Sequence, residues 1–377
     1  MQMERIVYLD HAATTRPRKE VIETMVSCLE GTFGNPSSLH KLGRQAKNVI
    51  EKAREQVASA LCADGEEIYF TSGGSESDNW AIRGIAYGNR EYGNHIITSC
   101  IEHKAVLQAC AQLEREGFEI TYLPVNPQGF VSATDVENAI KSSTILVSVM
   151  MANNEIGTIQ PIQEIGKITR DRGVYFHTDA VQAVGSIPID VEQLNVDLLS
   201  LSGHKFYGPK GIGVLYVRNS VAISPIIWGG GQEKGLRAGT ENMPGIVGLG
   251  RAIELADEEL DEYRKGILKM RGRLMEDLFK AVPTAILNGD STNRLPGNVN
   301  ISIPGINARS LLEELDDRGV AISVGSACES DSIKPSYVLT AIGLSPELAN
   351  SSIRMTLGRQ NTEEDIKYFV RVLKEVL

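Results

Sequence analysis

The feature that most constrains the fold is an alternation of short apolar segments with longer segments of helical period between residues 67 and 217. Several of the short segments are almost continuously apolar, which is typical of strands covered on both faces in a mostly parallel sheet. This alternation predicts an α/β fold in which ligands bind at the carboxyl ends of the strands. The predicted strands cover residues 67–72, 95–99, 118–123, 144–151, 174–178, 197–202 and 213–217.

The pattern of apolar residues changes after about residue 250. From Leu260 to Leu278 apolar residues step by three and four, which indicates one long helix leaving the first domain. A segment of mixed character follows, with predicted strands at 298–303 and 319–324. The last helix is predicted to begin after Thr362, whose side chain forms a capping box with the carboxylate three residues further on.

Length and composition agree with two globular domains. A chain of 377 residues is longer than one ordinary domain, and 42% hydrophobic with 23% charged residues is a globular composition. We therefore expect a large domain over residues 15–255. A smaller α+β domain would combine residues 1–14 with 256–377.

Charge, hydropathy and cysteine content argue against several classes of protein. With 38 Lys and Arg residues against 48 Asp and Glu, the net charge of −10 disfavours nucleic acid or an anionic membrane as a direct partner. No stretch reaches the roughly 18 apolar residues of a membrane helix, and Glu4 and Arg5 precede any apolar run, unlike a signal peptide. Five cysteines without C-x-x-C spacing favour neither a disulfide framework nor a zinc site. We expect a reduced, soluble, cytoplasmic protein without a metal.

Two charged residues at predicted strand ends suggest carbonyl chemistry. Lys205 lies in a Ser-Gly-His-Lys turn after strand 197–202, where partial desolvation would lower its amine pKa and let it condense with a carbonyl. A solvated loop lysine would have the same local sequence. Asp179, just after strand 174–178, could keep a pyridinium nitrogen protonated so that the ring accepts electrons. The alternative for Asp179 is a helix N-cap.

Three further strand ends carry groups that would complete such a site. The turn at 73–75 joins a strand to a helix, and its N–H groups with the Ser75 hydroxyl could receive a phosphate. His103 could stack on a flat ring or move a proton. The polar run 153–155 follows another strand. The chain lacks G-x-G-x-x-G and G-x-x-x-x-G-K-[ST], which disfavours dinucleotide and P-loop sites. All five strand ends are expected to meet in one crevice.

Cys328 differs from the other four cysteines. Its neighbours include Gly325, Ser326 and Glu329, in a stretch expected to be an exposed loop. An exposed thiol without zinc partners or a disulfide mate suggests a nucleophile, and the alternative is an incidental surface cysteine. The remaining cysteines are expected to lie in apolar surroundings, where a thiol is usually an inert hydrophobe, at positions 28, 62, 100 and 110.

Ten motifs occur in an order that identifies a family. They are YLDHAATT (8–15), FGNPSS (33–38), TSGGSESDN (71–79), EHKAV (102–106), NNEIGTIQPI (153–162), HTDAVQAVG (177–185), SGHKFYGPKGIG (202–213), GGGQEKGLRAGTEN (229–242), GSACES (325–330) and SIRMTLGR (352–359). Together they resemble the pyridoxal-phosphate cysteine desulfurases of the NifS/IscS type, in the class V aminotransferase group. The resemblance covers nearly the whole chain. It implies a fold type I transferase with a mostly parallel seven-stranded sheet and a smaller α+β domain.

The resemblance also implies a role for each of twelve residues around pyridoxal 5'-phosphate. Those that would hold the cofactor are Lys205 as the Schiff-base lysine, Asp179 on the pyridine nitrogen, Gln182 on the ring hydroxyl, His103 over the ring, Gly74, Ser75, Ser202 and His204 on the phosphate, and Thr240 from the second subunit of a homodimer. Asn154 and Arg354 would bind the substrate carboxylate. Cys328 would accept the sulfur, and His103 is the expected proton acceptor from the substrate thiol.

The implied reaction converts L-cysteine to L-alanine and leaves the sulfur on Cys328 as a persulfide. The sulfur would then pass to an acceptor such as an iron–sulfur scaffold protein or a tRNA-thiolation enzyme. The nearest alternatives are a selenocysteine lyase and a class V aminotransferase, and a non-catalytic scaffold of the same fold is the third. A scaffold would have no need of Lys205, Asp179 and Cys328 together.

Three positions depart from the family pattern. Ser75 stands where Thr is common, Val324 replaces a usual Ser or Thr, and Glu329 replaces a usual Thr. Because Glu329 adds a negative charge beside Cys328, it is expected to raise the pKa of that thiol. The first substitution keeps a hydroxyl at the phosphate turn.

Overall fold

The computed structural model describes residues 6–325 and 335–377, and a seven-stranded sheet lies at its centre. In chain order the strands are β1 (Val7–Tyr8), β2 (Ile68–Thr71), β3 (His95–Ser99), β4 (Glu119–Leu123), β5 (Thr144–Ser148), β6 (Tyr175–Asp179), β7 (Leu198–Ser202), β8 (Gly213–Val217), β9 (Ile286–Leu287), β10 (Asn298–Ser302), β11 (Val320–Ala321) and β12 (Ser352–Thr356). The helices are α1 (Lys19–Gly31), α2 (Lys41–Leu61), α3 (Gly74–Gly88), α4 (Lys104–Arg115), α5 (Ala133–Ala139), α6 (Ile162–Arg172), α7 (Met243–Glu258), α8 (Leu260–Ala281), α9 (Ala308–Asp316), α10 (Tyr337–Ala341), α11 (Pro346–Asn350) and α12 (Glu363–Val376).

The central sheet has the strand order β2-β8-β7-β6-β5-β3-β4. Strands β4, β3, β5, β6 and β7 are parallel to one another, and β8 is antiparallel to both of its neighbours. The predicted α/β fold with a mostly parallel sheet of seven strands is therefore confirmed. Because β2 and the five parallel strands point the same way, their carboxyl ends share one edge of the sheet.

Helices cover both faces of this sheet. Alternate residues of a strand point to opposite faces, so Leu198 and Leu199 enter different apolar clusters. One cluster packs α1, α2 and α7 against the sheet, and the other packs α3 and α4 against its opposite face. Burial on both sides explains the apolar character of central strands such as β5 and β7.

A separate apolar cluster combines the two ends of the chain. Val7 and Leu9 pack with residues of α8, α9, α12, β10 and β12. Strand β1 is parallel to β11, and β10 lies between β9 and β12 in a second sheet. The division of the chain into a large domain over 15–255 and a smaller one over 1–14 and 256–377 stays a prediction. The long helix predicted from Leu260 is present as α8.

Strand β11 and the start of α12 were both predicted from the sequence, with different outcomes. The segment 319–324 was expected to be one strand, but β11 is only two residues long, because Ser323 forms a bridge with Arg354 of β12 instead. The capping box at the start of α12 is confirmed: Thr362 Oγ1 accepts from the backbone N–H of Asp365, and the Asp365 carboxylate accepts from that of Thr362.

The expected burial of the cysteines is wrong at one position. Cys28 and Cys110 are buried and Cys100 is half-buried, but Cys62 is exposed. Cys62 follows the last residue of α2 with a φ of 55°, and its N–H bonds back to the helix, so its side chain lies outside the helical stripe. Within the described ranges, none of the helices combines the length and the apolarity that crossing a membrane would take.

Candidate active site

A cavity of about 230 Å³ opens at the carboxyl edge of the central sheet. It is lined by ten of the twelve residues singled out in the sequence: Gly74, Ser75, His103, Asn154, Asp179, Gln182, Ser202, His204, Lys205 and Arg354. Of the other two, Thr240 is exposed and does not line the cavity of its own chain, and Cys328 lies outside the described residues.

The strand order explains why residues so distant in sequence meet here. Strand β2 leads into the turn before α3, β3 into His103, and β5 into Asn154. Strand β6 ends at Asp179, and β7 ends three residues before Lys205. Because these strands share one direction, their ends supply side chains to the same crevice.

Lys205 lies in a single 3₁₀ turn, Gly203–Lys205, directly after β7. Its Nζ donates to the carbonyl oxygens of Ala12 and Ala13, the latter at 2.8 Å. The Gln182 amide donates to the Ala12 carbonyl as well, at 3.0 Å. The N-terminal segment therefore lies over the lysine and binds the two side chains predicted for the cofactor's aldehyde and hydroxyl.

Asp179 is buried next to a second carboxylate, that of Asp78 in α3. Ligand atoms of Asp78, Asp179 and His103 all lie within 4.8 Å of one another. Burial, reinforced by the charge of Asp179, raises the pKa of Asp78 well above its usual value. Burial raises the pKa of Asp179 too, against the attraction of His103 and Lys205. Since like charges this close resist joint ionisation, we assign the proton to Asp78 and the charge to Asp179.

The two acids differ in their hydrogen bonds. Asp179 Oδ1 accepts from the backbone N–H of Val181 at 2.9 Å, but a turn and no helix follows β6, so the N-cap alternative for Asp179 is wrong. Asp78 Oδ1 is buried and has no hydrogen-bond partner among the described residues. Three such ligand atoms could also approach a cation, but the sequence predicts no metal, and this stays a prediction.

His103 is held by the start of the helix that follows it. Its Nδ1 accepts from the backbone N–H of Ala105 at 3.2 Å, which makes His103 the N-cap of α4. A neutral ring therefore carries its proton on Nε2. The preceding residue, Glu102, is fully buried, and burial raises its pKa to about 8. Glu102 accepts from Ser99 Oγ at 2.5 Å and from the Met150 N–H at 3.0 Å.

The first turn of α3 forms a cradle suited to an anion. Gly74 and Ser75 open this helix, and exposed N–H groups at a helix N-terminus attract phosphate. A Cβ on Gly74 would lie 2.7 Å from Val181 Cγ2, so any side chain would close the cradle. Burial, then the charges of Lys205 and Lys210, lowers the pKa of His204 to about 4, so it is a neutral hydrogen-bonding group at neutral pH.

The donor set fits pyridoxal phosphate. A charged carboxylate, an amine, an imidazole and an anion cradle surround one cavity, which is what a ring nitrogen, an aldehyde, a flat ring and a phosphate require. The individual assignments stay predictions.

Arg354 is the cationic side chain on the opposite wall. It extends from β12 with only 1% of its side chain exposed. Its Nη1 donates to the Asn154 carbonyl at 3.1 Å, and its Nη2 to Asp10 Oδ1 at 2.8 Å. Its buried Nε has no hydrogen-bond partner among the described residues.

Sequence reasoning missed two acids at this site. Asp78 lies in the motif TSGGSESDN, three residues after Ser75 and so one helical turn further along the same face, a spacing that could have indicated it. Asp10 lies in YLDHAATT, but nothing local relates it to Arg354, which is 344 residues away.

Comparison with known proteins places the chain in a family. The model of the class-V aminotransferase family matches residues 7–369. Cysteine desulfurase IscS of Methanosarcina thermophila is 55% identical over 373 residues, covering 99% of this chain and 92% of that protein. A solved structure of a NifS-like protein is 40% identical with a TM-score of 0.93, covering 98% of this chain and 99% of that one. A structure described as SspA in complex with cysteine is 41% identical with a TM-score of 0.80, covering 93% and 98%. From these matches and the cavity at the sheet edge, the chain belongs to the class-V aminotransferase family, among the cysteine desulfurases of the IscS and NifS type.

Proposed function

We propose that the protein is a pyridoxal-phosphate-dependent enzyme that converts L-cysteine to L-alanine and retains the sulfur on Cys328. The observation that carries this proposal is the meeting of Lys205, Asp179 and Arg354 around one cavity. Relatives described as cysteine desulfurases, and a relative described in complex with cysteine, support the choice of substrate.

The residues around the cavity divide into those for the cofactor and those for the substrate. When bound, pyridoxal phosphate supplies an aldehyde that condenses with amines and a ring that accepts the electrons released at the substrate α-carbon. Asp179 would keep the ring nitrogen protonated, Gln182 would bind the ring hydroxyl and His103 would cover the ring. The phosphate would lie at the start of α3, with Gly74, Ser75, Ser202 and His204 around it.

Lys205 is the group expected to move the α-proton. Its Nζ now rests on the Ala12 and Ala13 carbonyls, whose oxygens would receive it again each time it is released from the cofactor. An amine at this place, when it is not joined to the cofactor, would act as the base within the cavity. His103 would accept the proton of the substrate thiol at Nδ1, which carries the lone pair of the neutral ring and would give up its bond from the Ala105 N–H.

The substrate carboxylate would bind between Asn154 and Arg354. The unpartnered Nε of Arg354 supplies an N–H that is already desolvated, and a guanidinium can bind both oxygens of a carboxylate at once.

Sulfur transfer completes the reaction. The Cys328 thiolate would attack the substrate sulfur, forming an S–S bond while the bond between sulfur and the β-carbon breaks. The β-carbon gains a proton and becomes the methyl group of alanine. The sulfur is oxidised from thiol to persulfide level and the carbon is reduced, so one thiol and one cysteine give one persulfide and one alanine.

A homodimer and protein acceptors are part of the proposal. Thr240 would reach the phosphate of the partner's cofactor, consistent with its exposure here. Phe33, in the motif 33–38, and Trp228, just before the motif 229–242, are 74% and 79% exposed, as expected of residues that a second subunit covers. The acceptor of the persulfide would be an iron–sulfur scaffold protein or a tRNA-thiolation enzyme, in the cytoplasm.

The test supplies L-cysteine alone, without a keto acid. Purified protein should show the visible absorbance band of the bound cofactor and release alanine and sulfide in equal amounts with a reductant present. Lys205→Ala should abolish both the turnover and the band. Cys328→Ser should keep the band and lose sulfide. Cys62→Ser, which removes an exposed thiol away from the cavity, should keep both the band and the release of sulfide.

Three results would contradict the proposal. Alanine formed at the normal rate by Cys328→Ser would remove Cys328 as acceptor. Turnover that required a keto acid would indicate an aminotransferase. Absence of a pyridoxyl adduct after borohydride reduction would indicate a scaffold without the cofactor.

A further inference from the structure

Asp10 links three segments that are far apart in the chain. Its Oδ1 accepts from Arg354 Nη2 at 2.8 Å, and its Oδ2 accepts from Ser323 Oγ at 2.9 Å. Backbone hydrogen bonds join the two donors to each other, from the Arg354 N–H to Ser323 at 2.7 Å and from the Ser323 N–H to Arg354 at 3.1 Å. Asp10 thus uses both oxygens to brace one structural unit.

This bracing fixes the orientation of the Arg354 guanidinium. Asp10 occupies one terminal nitrogen and the Asn154 carbonyl occupies the other, so the plane of the group cannot rotate without losing a bond. The charge of the buried guanidinium is balanced by the same carboxylate. These two bonds use two of the five N–H groups, and among the rest Nε lies buried beside the cavity without a hydrogen-bond partner in the described part of the chain.

The other buried acid near Arg354 does not perform this task. Glu155 accepts from Ser336 Oγ at 2.6 Å, and its second oxygen has no hydrogen-bond partner among the described residues. Burial raises the pKa of Glu155, so it is a weaker counter-ion for Arg354 than Asp10. In the described part of the chain, the ion pair within 4 Å of Arg354 is the one with Asp10.

We propose that Asp10 is the positioning residue that orients Arg354 toward the substrate α-carboxylate and thereby makes a free α-carboxylate the main requirement for substrate binding. The proposal rests on the proposed function, because it assumes that the ligand is an amino acid. Asp10 itself touches neither the cofactor nor the reacting atoms. Its effect should therefore appear in carboxylate recognition and not in the chemistry common to all amines.

The test compares L-cysteine with cysteamine, which has the same amine and thiol but no carboxylate. Each is titrated against the visible band of the bound cofactor, and KM and kcat for L-cysteine are measured alongside. Asp10→Asn keeps the size of the side chain and removes its charge. It should weaken L-cysteine binding about tenfold or more, because a charge-assisted bond is lost. Cysteamine binding should change by less than about twofold.

Three further variants separate the ion pair of Asp10 from its other contacts and from a general loss of charge. Ser323→Ala removes one bond to Asp10 and leaves the ion pair, so it should raise KM for L-cysteine by less than Asp10→Asn does. If Asp10→Asn does not fold, Asp10→Glu serves instead, since it keeps the charge and displaces the guanidinium, and it should weaken only L-cysteine. Asp261→Asn, at a side chain 84% exposed, is the matched control and should leave both ligands unchanged.

Two outcomes would overturn the positioning role while the wild-type enzyme stays active. Equal weakening of both ligands would show that Asp10 acts on the site as a whole. Unchanged L-cysteine binding in Asp10→Asn would show that Arg354 needs no brace. A wild-type enzyme that formed no alanine from L-cysteine would instead overturn the proposed function, and this inference with it.

Discussion

Two pairs of buried ionisable side chains lie beside the central sheet, and they differ in whether each side chain faces a partner of opposite charge. Arg54 of α2 and Glu233 form a bidentate pair at 2.9 and 2.8 Å, and Glu233 also accepts from the Phe70 N–H at 2.8 Å. Asp78 and Asp179, by contrast, are two acids side by side, and one buried oxygen of Asp78 has no partner among the described residues.

The contrast separates stabilising charges from functional ones. A buried charge that holds a fold in place is satisfied within the protein, because an unpaired one is costly. A pair of buried acids with perturbed pKa values and no cation hydrogen-bonded to them is typical of an active site. In this molecule the protonated ring nitrogen would be the cationic partner of Asp179, and Asp78 would stay neutral.

The largest expected effect comes from Asp179→Asn. An amide cannot hold the ring nitrogen protonated, so we expect kcat to fall about 10²- to 10⁴-fold with the cofactor still bound. Steady-state kinetics and the cofactor's absorbance measure this. Asp78→Asn is the matched control, since an amide imitates a protonated acid, and it should keep most of the activity. Equal losses in the two variants would mean that the proton does not reside on Asp78.

Loss of one partner of the Arg54–Glu233 pair should lower the free energy of unfolding. Glu233→Ala leaves Arg54 buried without its counter-ion, and we expect the free energy of unfolding to fall by about 3–5 kcal/mol. Urea unfolding at a fixed protein concentration measures the change. Glu66→Ala removes an exposed acid 2.8 Å from Lys234, so its cost should stay below about 1 kcal/mol. Similar losses would show that burial of the Arg54 pair is unimportant.

The most gradual effect is a dependence of the unfolding free energy on pH caused by Glu102. Its pKa of about 8 lies above the ordinary value because the side chain is buried, with the charge of Asp179 facing it. The folded protein therefore binds this proton more tightly than the unfolded chain does. Stability should fall as pH rises from about 4.5 to 8, by up to about 1.4 kcal/mol per pH unit.

Glu102→Gln removes this titration. The variant and the wild type should have similar unfolding free energies near pH 5, and the variant should be the more stable of the two at pH 8. Unfolding curves at several pH values test this. Parallel pH dependences in the two proteins would show that Glu102 is not protonated in the fold.

The parts of the fold and of the site that depend on local sequence pattern could be predicted from the sequence. The seven strands follow from short β-rich segments, several of them almost continuously apolar, and residues such as Asp179 and Lys205 follow from their position at strand ends. Contacts between segments that are distant in the chain could not be predicted from the sequence. The shortened β11, whose next residues turn to Arg354, and the ion pair of Asp10 with that arginine both depend on contacts that no local period encodes.

The segment around Ala12 has a consequence for how the protein is made. Lys205 and Gln182 rest on its carbonyl, while Arg354, which Asp10 braces, belongs to the last strand. Residues 10–13 must therefore wait for the synthesis of β12, more than 330 residues later, before the crevice is complete. A nascent chain that has not yet reached β12 lacks Arg354, so productive loading with the cofactor should follow the emergence of this strand from the ribosome.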